Sequence, residues 1–75
     1  MLRMDGFNDC IAGVISGAGI EGDLICYDRE KVIEKIAREK GLEYHEARQD
    51  FEFNQECAYV GPQTPVFLEP LPEED

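Results

Sequence analysis

The sequence predicts a mainly helical α+β domain, and three observations carry that expectation. The stretch from Tyr27 to Asn54 reads as two amphipathic helices joined at Gly41. Two short apolar runs, Leu24–Tyr27 and Thr64–Leu68, have the length and the β-branched or aromatic content of buried strands. The run Asp9–Ser16 adds a further short helix, so the predicted order is helix, strand, helix, helix, strand, acidic tail. Three helices would then pack with two short strands able to pair. Residues 1–68 form the single globular unit and 69–75 a disordered acidic tail.

Residues 1–8 read as a loose arm with Phe7 as its anchor. In the run that follows, Asn8 or Asp9 can cap a helix, and Ile11, Val14 and Ile15 share a face at the i, i+3, i+4 spacing. A strand is the competing reading. The three residues are β-branched, but Ile11 and Ile15 share a parity that Val14 does not. The helix is the reading carried forward. Gly17–Asp23 is a glycine-rich connector leading into Leu24–Tyr27.

Asp28 is placed to cap the first helix of the central pair, with Glu30 near its positive end. Val32, Ile33, Ile36 and Ala37 make its apolar stripe. Glu34–Arg38 and Lys35–Glu39 are opposite charges four apart. Lys40 suits the negative end, and Gly41 supplies the left-handed residue that stops the helix. Glu43 and Glu46 then form an altered capping box, with Leu42 and Ala47 placed as a staple. The second helix is expected from Tyr44 to about Asn54, with Ala47, Phe51, Asn54 and Ala58 on one face.

At 75 residues the chain is one small domain, a size at which a partner or a second copy helps stability. Seventeen acidic residues against seven basic give a net charge of −10. That balance argues against direct binding to nucleic acid or an anionic membrane, and a protein partner with a basic surface is the natural counterpart. No apolar run approaches the roughly 20 residues that span a bilayer. Three widely spaced cysteines without a signal peptide point to a reducing cytoplasm.

Chemistry-bearing patterns are thin. Cys10, Cys26, Cys57 and His45 lack the close spacing that lets neighbouring ligands share a metal, so no metal and no cofactor are expected. His45 in the first turn of a helix is poorly placed to activate a thiol. The glycines from Gly13 to Gly19 lack the lysine of a phosphate loop. The informative group is aromatic: Tyr44, Phe51, Phe53 and Tyr59. Phe51 and Phe53 lie about 200° apart around a helix, so both cannot face one core. Core filling from opposite sides is the default, and an exposed member would mark a partner surface.

The segments Phe51-Glu52-Phe53-Asn54, Ala58-Tyr59-Val60-Gly61 and Thr64-Pro65-Val66-Phe67 resemble an uncharacterised family of small bacteriophage and prophage-type proteins. The resemblance spans about residues 7–68 and implies a small intracellular protein, with no activity or site residues to carry over. The expected function is thus a non-catalytic protein-interaction factor. The alternative is an acidic nucleic-acid mimic that blocks a basic groove on a host protein.

Overall fold

A computed structural model describes residues 2–20, 22–56, 58 and 61–71. A 3-10 turn, Asn8–Cys10, leads into strand β1, Ile11–Ile15, followed by strand β2, Leu24–Asp28. Two helices come next, α1 at Arg29–Lys40 and α2 at Tyr44–Phe51. A π-helical turn, Glu52–Glu56, extends α2, and strand β3, Val66–Leu68, closes the order. The strands form one mixed sheet in the order β1-β2-β3, with β1 antiparallel and β3 parallel to the central β2.

The α+β class stands, but the expectation of three helices does not: among the described residues there are two α-helices, and residues 11–15 are a third strand. The parity argument against a strand fails because the register slips between Ile11 and Gly13. That bulge resets the alternation. Ile11 and Val14 then lie beside Tyr27 and Ile25, while Gly13 and Ile15 lie beside Cys26 and Leu24 on the opposite face. With the alternation reset, the β-branched residues satisfy a strand and the helical spacing becomes coincidental.

The central pair forms as its sequence dictates. Asp28 accepts a hydrogen bond from the Lys31 N–H at 3.2 Å, and Gly41 ends α1 with φ of 65°. Beyond that glycine the Leu42 N–H closes onto the Ala37 carbonyl at 2.9 Å. At the start of α2 the Glu43 N–H donates to Glu46 Oε1 at 3.1 Å. Val32, Ile33 and Ile36 of α1, Ala47 and Phe51 of α2, and Ile25 and Tyr27 of β2 share one buried cluster with Cys10. Full burial of each large side chain in this set stabilises by about 1.5–3 kcal/mol.

The predicted strand at Thr64–Leu68 is narrower, Val66–Leu68, and pairs with β2 through Cys26, Tyr27 and Asp28. Phe67 thereby stands beside Tyr27, their ring centres 6.1 Å apart, and meets Phe51 edge-on at 4.9 Å. The N-terminal arm is tied down more firmly than expected. The Met4 N–H donates to the Tyr27 hydroxyl at 2.7 Å, and Phe7 packs against the core. Of the expected tail, residues 69–71 are exposed and irregular, and 72–75 lie outside the described residues.

Candidate functional site

The end of α2 is where regular helix gives way. The helix ends at Phe51 and passes into the π-helical turn Glu52–Glu56, a local widening frequent at functional sites. The turn breaks the 3.6-residue repeat, so the expected common face of Ala47, Phe51, Asn54 and Ala58 is not made. Ala47 and Phe51 are buried, whereas Asn54 and Ala58 are exposed.

The turn also separates the two phenylalanines. Phe51 is fully buried, so it belongs to the core and is withdrawn from the expected partner surface. Phe53 is 83% exposed, which corrects the expectation that both would fill the core. Tyr44 is half out of the protein, its hydroxyl held by the Glu30 carboxylate at 2.6 and 2.8 Å. That hydrogen bond, joined by burial, pushes the Tyr44 phenol above its ordinary range. Tyr59 lies outside the described residues.

The turn is braced by charge. Arg29, at the first position of α1, is 6% exposed and sits 5.2 Å over the Phe51 ring. Its Nε donates to Glu56 at 3.0 Å and one terminal nitrogen to Glu52 at 3.4 Å, while Glu69 stands 4.0 Å away. The hydrogen bond to Glu56 is the main reason the guanidinium is held above its ordinary value. One cation thus ties the π-turn and the chain beyond β3 to the start of α1. Spacing alone gave no sign of it, because the partners lie more than twenty residues away.

Beside the turn lies an apolar groove of about 590 Å³, walled by Leu2, Met4, Phe7, Gln55, Pro65 and Phe67. Gln55 Oε1 is buried without a hydrogen-bond partner. Asn54, the neighbour of Phe53, also lines this groove, and its side chain donates to Asp50 at 3.0 Å.

Asp50 in turn accepts from Lys40 at 2.7 Å. Lys40 first, and Asn54 second, hold its carboxyl below the ordinary carboxylate value. A carboxyl that is more acidic in the folded chain stabilises at neutral pH, and that share is lost as pH falls below about 4. Lys40→Met is therefore expected to flatten part of the acid-side fall in thermal stability. Melting curves of both proteins between neutral and acid pH check this, and superimposable profiles would contradict it.

Among the described residues weighed for metal or thiol chemistry, Cys10, Cys26 and His45 do not group around one site. Cys10 and Cys26 are buried free thiols, pushed up chiefly by burial, which disfavours the thiolate. Cys57 lies outside the described residues, and His45 is exposed at the start of α2. His45 does cluster with Glu43 and Glu46, their ligand atoms within 4.8 Å of one another, a grouping not anticipated from spacing. All three are exposed, Glu46 is committed to the Glu43 N–H, and the helix start opposes a cation there.

Gly13 lies within β1, and Gly17 and Gly19 in the turn after it. Among the described residues, no helix is long and apolar enough to cross a membrane. Comparison with known proteins finds no family model, no curated protein and no solved structure that matches the chain.

Proposed function

We propose that this is a non-catalytic protein-interaction module that uses Phe53 as its anchor. One observation carries the reading: of the four phenylalanines, three are buried or packed against the core and Phe53 alone stands 83% exposed. An aromatic side chain held out on a buttressed turn adds nothing to the core, and it supplies the kind of contact that dominates binding energy. The partner that fits is a protein offering an apolar pocket rimmed by basic groups, since the chain carries a net charge of −10. A cytoplasmic setting, to which the three widely spaced cysteines point, and a phage-type accessory role, which the sequence resemblance implies, belong to the same proposal.

The nucleic-acid mimic is the less supported reading, because several folded carboxylates are already paired with cations. Asp9 contacts Lys35, Asp50 contacts Lys40, and Glu52 and Glu56 contact Arg29. An array that imitates phosphates needs its charges facing outward.

The test is capture of partners by tagged wild-type and Phe53→Ala protein over a range of salt. Recovery is expected to fall by roughly tenfold or more in the variant, as for a central aromatic contact. Unchanged recovery would remove Phe53 from the interface. Recovery that depends on salt but not on residue 53 would favour the mimic.

A further inference from the structure

Net charge sets where two copies of this chain can meet. With ten more acidic than basic residues, most of the surface repels its own kind. Two stretches carry no charged residue, 10–20 and 57–68, and they hold the two edge strands of the sheet, β1 and β3. The edges are guarded differently. The strand β3 is three residues long, with Pro65 before it and Pro70 shortly after, both of which obstruct further pairing. The strand β1 is five residues of Ile-Ala-Gly-Val-Ile, with no proline and no charge, and its outer side pairs with no strand among the described residues.

We infer that β1 is a self-association edge, whose partner is the β1 of a second copy, antiparallel to it. The pattern beyond the bulge is compatible with a two-fold axis. Gly13, Val14 and Ile15 pair regularly with Cys26, Ile25 and Leu24, so this run has an unbroken alternation. An axis through Val14 sets the two Val14 side chains together on the helix-bearing face. On the other face each Ile15 falls opposite the Gly13 of the second copy, where the missing side chain leaves it room. Val14 is 54% exposed, so the single copy leaves this apolar side chain uncovered. Pairing would extend the three-stranded sheet to six strands and satisfy the outer row of β1 backbone groups. A basic partner drawn to the acidic surface gains nothing from this uncharged edge, which is why a second copy is its occupant. The β1 edge is a different surface from the one that bears Phe53, so the two contacts are independent.

Sedimentation equilibrium of the full chain across a wide concentration range is the test. The mass is expected to rise from one chain toward two. Val14→Lys should weaken association by roughly tenfold or more, as charges on edge strands do. Val14→Thr, still β-branched, should associate like wild type. Under mild oxidation Val14→Cys should link residue 14 of one copy to residue 14 of the other, read by peptide mapping. A single-chain mass at every concentration overturns the inference. So does a dimer that survives Val14→Lys, or one whose Val14→Cys form yields no such link.

Discussion

Replacing Phe51 with alanine is expected to leave most of the chain unfolded at room temperature. Phe51 is fully buried where three elements meet: its own helix α2, Phe67 of β3 edge-on at 4.9 Å, and Arg29 of α1 over its ring at 5.2 Å. Truncating a buried phenylalanine costs about 3–5 kcal/mol, from lost transfer energy and the cavity left behind. A core of this size supplies only about 3–5 kcal/mol in total, so the loss consumes the margin. Phe53→Ala, two residues on, removes a side chain that stands in solvent and should shift stability by no more than about 0.5 kcal/mol. Thermal unfolding followed by circular dichroism separates the two. A cooperative transition in Phe51→Ala near the wild-type temperature would contradict the placement of Phe51 in the core.

Arg29→Ala is the second large effect, at about 2–3 kcal/mol. Removing one partner from a buried ion pair commonly costs about 3–5 kcal/mol, because the remaining charge is stranded away from water. Here the side chains of Glu52 and Glu56 are 42% and 40% exposed, so water screens them once the cation is gone and the cost is smaller. The loss is not electrostatic alone, since the stem and guanidinium also cover Phe51. Arg29→Met keeps an apolar stem over the ring and is expected to recover part of the loss. Urea denaturation of the three proteins measures the series. Equal stabilities for wild type and Arg29→Ala would show that the π-turn holds without its brace.

Local signals were legible in the sequence where the chain satisfies its own backbone. Asp28 and Gly41 mark the ends of α1 because capping acts within one turn, and the apolar stripe of α1 follows from the helical repeat alone. The pairing of β3 with Leu24–Tyr27 was also readable from two short apolar runs. What escaped depended on contacts far along the chain. The bulge in β1 is a property of its pairing with β2, so a helical and a strand reading of residues 11–15 could not be separated by periodicity. The π-turn after Phe51 is stabilised by Arg29, whose partners at 52 and 56 no local rule connects to it. Without that turn, Phe51 and Phe53 could be assigned to opposite faces of a helix but not to core and solvent.

Phe53, as proposed, sits in an interface with another protein. A photo-crosslinking phenylalanine analogue at position 53, with a control at position 14, allows the adducts formed in a cell lysate to be mapped. An adduct from position 53 to a basic protein is expected, while position 14 links only to a second copy of the chain. An unmodified position 53, in a chain that still captures the same partner, would contradict it.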